Sequence, residues 1–166
     1  MSAGAGKGTS KGTGTGTGIK IIADNKKARF DFEIIETFEA GLVLRGSEVK
    51  SLRNNTCALK DAYVAFRGHE AYLQNAHIPI YLASSYNNHE PERVRKLLLH
   101  EHELAKINAA ITEKGLTCVP LKMYWKKGMA KVEIGIARGK KKGDKREAIK
   151  SREADRDIQR SLRRSR

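Results

Sequence analysis

Apolar residues alternate with polar ones where Phe30, Phe32 and Ile34 flank Asp31 and Glu33, the period of two that sends successive side chains to opposite faces of a strand. That strand is expected to end at Glu39–Gly41, with Leu42–Leu44 starting the next. In Gly46–Arg53 the spacing changes: Val49 and Leu52 fall three apart and Ser47 is placed to cap a short helix ending near Asn54 and Asn55. Asp61–Arg67 and Glu70–Gln74 flank Gly68 and read as a hairpin. Ile78–Ile80 continues as an edge strand, because Pro79 has no N–H for a central ladder. Ser84–Glu90 reads as an exposed loop. Pro91 suits a first helical position, with Val94, Leu97 and Leu98 on one face of a helical turn. Leu104, Ile107 and Ile111 predict a second helix from about Glu101, stopped by Gly115. Leu116–Trp125 and Met129–Ala137 alternate again around a turn at Gly128. The pattern predicts a mainly β fold of about six antiparallel strands with two or three short helices. A small closed or nearly closed barrel hides so many strand edges; a β-sandwich is the alternative.

The pattern stops at Gly139. From there to Arg166 there are 12 Lys/Arg against 5 Asp/Glu, and Ile149, Ile158 and Leu162 are too few to bury a face of their own. Ala154, Ile158 and Leu162 nevertheless lie at i, i+4, i+8, the stripe of a helix that needs a partner to hold it. At the other end, residues 1–18 are a Gly/Thr/Ser/Lys low-complexity segment expected to be a flexible arm. The organisation is therefore an arm (1–18), a folded body (19–138) and a basic tail (139–166), disordered when free.

Charge changes the picture by its location. The formal charge is +14, with 6 basic to 1 acidic residue in 1–29, 15 to 13 in 30–138 and 12 to 5 in 139–166. Basic ends on a nearly balanced body point to a polyanionic partner. No apolar run approaches the roughly 20 residues a membrane helix needs, so a cytoplasmic protein is expected. Cys57 and Cys118 lack a paired spacing and are expected to be reduced thiols.

Candidate chemistry is that of binding. In GAGKGT a phosphate loop would need Gly where Met1 stands. His100-Glu-His-Glu103 lacks the H-E-x-x-H spacing that sets two imidazoles on one helical face, and Ser47, Ser84 and Ser85 lack a Gly-flanked elbow. No catalytic residue, metal site or cofactor is expected. Arg93, Arg95 and Lys96 beside Leu97–Leu99 offer cations against an apolar patch, as binding phosphate and an unstacked base requires; a core helix with a solvated charged edge is the other reading. The basic knuckle Asn25–Arg29 has the same two readings.

Together the motifs resemble the small protein B (SmpB) family. The matching stretches are Asn25–Arg29 (NKKAR), Phe38–Leu42 (FEAGL), Gly46–Arg53 (GSEVKSLR), Asp61–Val64 (DAYV), Arg93–Leu99 (RVRKLLL), Tyr124–Lys126 (YWK), Ala130–Gly135 (AKVEIG), Gly139–Lys141 (GKK) and Asp144–Glu147 (DKRE). The resemblance implies a six-stranded antiparallel barrel of oligonucleotide-binding type, with helices packed against it. It implies that the body binds the tRNA-like domain of transfer-messenger RNA (tmRNA), and that the tail folds into a helix in the decoding centre of a stalled ribosome. Partners implied are tmRNA, both ribosomal subunits with their rRNA and, indirectly, elongation factor Tu and alanyl-tRNA synthetase, with the protein a monomer.

By position, the resemblance assigns RNA contacts in the body to Glu39, Leu98 and Lys131, added to Asn25, Lys26, Arg29, Arg93, Arg95 and Lys96. In the tail it marks Gly139, Lys140, Lys141, Lys142, Asp144, Lys145, Arg146, Ile149 and Lys150 for the decoding region. The roles this implies are physically apt: Lys131 can neutralise phosphate, Leu98 can pack on a base or sugar, and Glu39 can accept from a base or orient a cation. Gly143 and Ala154 stand where other members carry rings that could stack, and Phe30 where some carry His, which leaves the tail cations to act on phosphates. Two other classes remain: a generic single-stranded nucleic-acid barrel or ribosome-associated translation factor, which would show stacking aromatics on a strand face, and a ribosomal or membrane-surface structural protein bound mainly by charge.

Overall fold

The computed structural model describes residues 18–54, 57–84 and 86–164; the arm expected over 1–18 lies almost wholly outside them, as do Asn55 and Ser85. The elements run β1 (Ile19–Asp24), α1 (Lys26–Asp31), β2 (Phe32–Leu42), α2 (Gly46–Asn54), β3 (Tyr63–Arg67), β4 (Glu70–Gln74), β5 (Arg95–Leu98), α3 (Glu101–Lys114), β6 (Thr117–Lys126), β7 (Met129–Gly139) and α4 (Lys142–Arg164). All strand pairs are antiparallel, in a single sheet of order β1-β6-β7-β2-β5-β4-β3. The sheet curls so that β3 lies against β6. The mainly β, antiparallel fold read from the alternation is the one found, with seven strands among the described residues.

Alternation decides the core. Val132, Ile134 and Ile136 of β7 face inward with Met123 of β6, Ala40 of β2, Leu97 of β5 and Leu73 of β4, all at most 2 % exposed. Ile107 of α3 is fully buried against them, and Gly115 ends that helix in the left-handed conformation (φ 60°), where Gly is free of the Cβ clash. Register shifts at Ile34/Glu36 in β2 and Pro120/Lys122 in β6 exchange the two faces. Leu121 and Met123 would otherwise share a face; instead Leu121 joins Val119, Ala28, Ala137, Phe32 and Ile34 in a small second core beneath α1. A bulge of this kind leaves one residue unpaired and re-aims the side chains beyond it, after which the ladder resumes.

Five local expectations are corrected. Phe30 lies in α1, a six-residue helix, and the strand begins at Phe32. Gly41 does not end β2, which runs unbroken to Leu42; a Cβ there would sit 3.3 Å from Leu98 Cβ, so the glycine admits a neighbour rather than a turn. Ser47 does not cap α2: its hydroxyl meets His89 Nδ1 at 3.0 Å, and Glu48 Oε2 instead accepts from Arg45 N at 2.7 Å. Arg95–Leu98 forms β5 rather than a helical turn, because it is framed by β2 and β4, and Ile78–Ile80 is irregular chain outside the sheet. Strand pairing here overrode a spacing that also fits a helix.

Candidate nucleic-acid interface

Register places one row of residues across the outer face of four strands. Tyr124 of β6 stands opposite Lys131 of β7, Lys131 opposite Gly41 of β2, and Gly41 opposite Leu98 of β5. Two residues along, on the same face, Lys122, Glu133 and Glu39 form the next row. With no side chain at Gly41, Leu98 lies over the β2 backbone, 54 % exposed. Beside it, Leu42, Leu44, Val49, Trp125 and Met129 line an open cleft of about 290 Å³ that Lys131 borders. An exposed apolar platform next to a cation fits a nucleotide, whose base is apolar on its faces and whose phosphate is charged.

Glu39 is the acceptor of this face. Tyr124 Oη donates to its Oε2 at 2.5 Å, and Lys126 Nζ reaches its two oxygens at 3.1 and 2.9 Å. The tyrosine bond first, then the bond from Lys126, hold its carboxyl below the usual carboxylate range against the opposing effect of burial, with the charges of Lys126 and Lys131 adding to them. Burial, together with the bond to Glu39, pushes the Tyr124 phenol up. The cluster is thus an ionised carboxylate with a neutral phenol and two lysines around it at neutral pH. Glu39, Leu98 and Lys131, which the resemblance marked, are brought together; Tyr124, Lys126, Trp125 and Met129 were not marked, although Lys122, Tyr124 and Lys126 alternate in the sequence as one outward face does.

Other marked residues prove structural. Asn25 is 4 % exposed: its Nδ2 donates to the carbonyls of Leu59 (2.8 Å) and Pro120 (2.9 Å), and its Oδ1 accepts from Ala28 N at 3.0 Å. It caps α1 and ties that helix to the sheet, so it has no group left for RNA. Arg95 is fully buried. Its position two residues before Leu97 puts it on the core face, where it donates to Glu48 Oε1 (2.8 Å) and to the carbonyls of Ala76, Pro91 and Arg93. Arg93 shares Glu48, at 2.7 Å from Oε2, with its side chain 23 % exposed. Burial, the largest influence, would raise the Glu48 carboxyl, but bonds from Arg93, the Arg45 amide and Arg95 together lower it. Lys96 does lie on the outer face, paired with Glu70.

A second basic region occupies the other end of β7. Lys131 and Gly139 are eight residues apart, or about 26 Å of strand. There Lys26 and Arg29 are exposed on α1, with Arg29 paired to Asp24. Gly139 closes the β2–β7 ladder opposite Phe32, Lys140 N donates to Asp31 O at 2.9 Å, and Lys145 Nζ meets Asp31 Oδ1 at 3.0 Å. The Arg152 guanidinium lies 5.2 Å from the centre of the Phe30 ring. Asp144 Oδ2 accepts from Lys141 N at 3.2 Å, the bond of a helix cap. Lys141, Lys142, Arg146, Ile149 and Lys150 are exposed along the first turns of α4.

A family model described as SmpB protein matches residues 22–164. An SsrA-binding protein of Bdellovibrio bacteriovorus is 63 % identical over 148 residues, covering 89 % of this chain and 97 % of the relative. Proteins of the same description from Syntrophobacter fumaroxidans (52 % identical, 89 % of this chain, 91 % of the relative) and Geobacillus thermodenitrificans (53 %, 87 % and 93 %) are similar over almost the same span. Among solved structures, a chain described under "tmRNA-SmpB: a journey to the center of the bacterial ribosome" superposes with a TM-score of 0.63 at 46 % identity, over 78 % of this chain and 95 % of that one.

Proposed function

The chain belongs to the SmpB protein family, and from that premise we propose that it is a tmRNA-binding protein that serves trans-translation on the ribosome, an RNA adaptor rather than an enzyme. The observation that carries this is the outward row Tyr124–Lys131–Gly41–Leu98 with Glu39 beside it: a cation, an apolar platform and an acceptor on a rigid sheet. In this reading the body takes the tRNA-like domain of tmRNA on that face, and the basic α4 end enters the decoding centre of a stalled ribosome. The separation of about 26 Å between the two regions lets one molecule hold two RNAs without the contacts competing. Elongation factor Tu and alanyl-tRNA synthetase act with it indirectly through the same tmRNA, and the protein works as a cytoplasmic monomer. No helix among the described residues is long and apolar enough to cross a membrane.

The tail supports a coupled-folding role. Its ties to the body fall at Lys140, Lys145 and Arg152, while Ile158 further along is 57 % exposed. A helix of such composition is marginal without a surface to pack on, so residues 139–166 exchange with coil in the free protein and settle as helix on the ribosome. Amide NMR of the free protein checks this; sharp, dispersed signals across the tail would refute it.

Truncation after Arg138 separates the two roles. The shortened protein should bind tmRNA with affinity close to that of the full chain, while peptide tagging on stalled ribosomes fails. Loss of tmRNA binding with tagging preserved would reverse the assignment of roles and sink the proposal.

A further inference from the structure

We propose that the cleft between α2 and the Tyr81–His89 loop is a second RNA subsite, which takes one phosphate and the adjoining unstacked base of a single-stranded ribonucleotide segment. The inference rests on the proposed function only in taking RNA as the ligand.

The cleft encloses about 640 Å³ and is lined by Arg45, Ser47 and Lys50 on one side and Tyr81, Tyr86 and Asn88 on the other. Several cations of the body are committed elsewhere, Lys27 to Asp61, Arg29 to Asp24, Lys96 to Glu70, Lys106 to Glu36, Lys122 to Glu133 and Lys126 to Glu39. Arg45 and Lys50 are exposed, and among the described residues neither is in an ion pair. Lys50 Nζ stands 5.9 Å from the centre of the Tyr81 ring. Two uncommitted cations facing one cleft with no lining carboxylate create a field that favours an anion.

The two ends of the loop opposite are tied together. Asn88 Oδ1 accepts from Tyr81 N at 3.0 Å and its Nδ2 donates to Tyr81 O at 2.9 Å, closing the loop on itself. His89, 3 % exposed, joins Ser47 Oγ and the Ile78 carbonyl, each at 3.0 Å, and so fastens the loop to the start of α2. Asn87 adopts φ 56°, a turn conformation that asparagine tolerates. The loop thus presents Tyr86, 84 % exposed, at the rim beside Arg45 and Lys50. An exposed ring at the rim offers a face on which a base can stack.

Continuity with the sheet face supports RNA as the occupant. Leu44 and Val49 line the apolar cleft beside Leu98 and Lys131, while Arg45, Ser47 and Lys50 line the second one. The same turn of α2 separates the two, so a strand leaving Leu98 passes over α2 into the Arg45–Lys50 cleft.

The test uses the full-length protein with two probes, tmRNA and a ten-nucleotide single-stranded polyuridine RNA, titrated at several salt concentrations. The variants are Arg45→Ala/Lys50→Ala, Tyr86→Ala and, for the sheet face, Leu98→Ala; all four positions are exposed, so wild-type thermal unfolding is expected of each. Losing the one phosphate that Arg45 and Lys50 hold together should lower the magnitude of the log K against log salt slope by roughly 0.7 to 0.9. Tyr86→Ala should weaken binding roughly 5-fold or more at fixed salt. Hydroxyl-radical footprints on tmRNA should show the cleft variants releasing nucleotides different from those Leu98→Ala releases. Wild-type affinity and slope in the cleft variants, with Leu98→Ala weakened, would overturn the subsite and leave the proposed function standing. A reduced slope with an unchanged footprint would reduce the cations to general attraction and also overturn it. Weakened cleft variants with Leu98→Ala unaffected on tmRNA would support the cleft and remove the sheet face from the proposed function.

Discussion

Glu48 is held between two arginines and fully buried, whereas Glu39 is held by one lysine and a tyrosine hydroxyl and is about a third exposed. Glu48 takes Arg95 at 2.8 Å, Arg93 at 2.7 Å and the Arg45 amide at 2.7 Å, with its side chain at 0 % exposure. Glu39 takes Lys126 at 2.9 Å with both side chains 37 % exposed. Inside the protein the charges cannot be released to water, so the trio has one geometry, and that geometry locks α2 onto β5. At the surface an ion pair contributes about 0–1 kcal/mol, so Lys126 can leave Glu39 for a phosphate at little cost. The same residue types therefore fix the fold in one place and stay exchangeable in the other, and solvent access decides which.

The largest expected effect strikes the buried member. Glu48→Gln leaves the Arg95 guanidinium without its counter-charge and should destabilise the fold by about 3–5 kcal/mol, measured by urea unfolding. A loss below about 1 kcal/mol would mean that the carbonyls of Ala76, Pro91 and Arg93 carry Arg95 alone, and the contrast with Glu39 would collapse. The pH dependence has a definite sign. The folded-state Glu48 carboxyl is lowered, so its stabilisation is complete above the unfolded value near 4.3 and is lost as pH falls through the lower folded value. Glu48→Gln should flatten that part of the acid unfolding curve, whereas a variant as steep as wild type would assign the acid sensitivity to other carboxylates.

The contrast also explains what the sequence could and could not reveal. The β3–β4 and β6–β7 hairpins and α3 were legible because alternation, glycine turns and the Leu104–Ile107–Ile111 spacing are local signals. β5 was not, since Val94, Leu97 and Leu98 fit a helical face as well as a strand, and the partner that settles the matter, Gly41, lies far away in the chain. The Arg93–Lys96 cations look alike in sequence; only pairing with a carboxylate 47 residues distant separates buried Arg95 from half-buried Lys96. Asn25 likewise reads as part of a basic knuckle until its three bonds are seen. Glu39, Leu98 and Lys131 came from resemblance, and their meeting on one face depends on register, which a sequence encodes only through all its strands together.

The smallest effect tests the exposed member most sharply. Val132 and Ile134 are fully buried, so alternation sends Lys131 and Glu133 outward, and Lys131 has no ion pair among the described residues. Lys131→Ala should therefore shift stability by no more than about 0.5 kcal/mol, as for surface positions generally. Removing its phosphate contact should lower the magnitude of the log K against log salt slope for tmRNA by roughly 0.7 to 0.9, read from titrations at several salt concentrations beside a thermal unfolding curve. An unfolded variant would make Lys131 a structural residue like Arg95. A folded variant with the wild-type slope would leave the cation of this face without a phosphate to bind, and would move the RNA to the other end of β7.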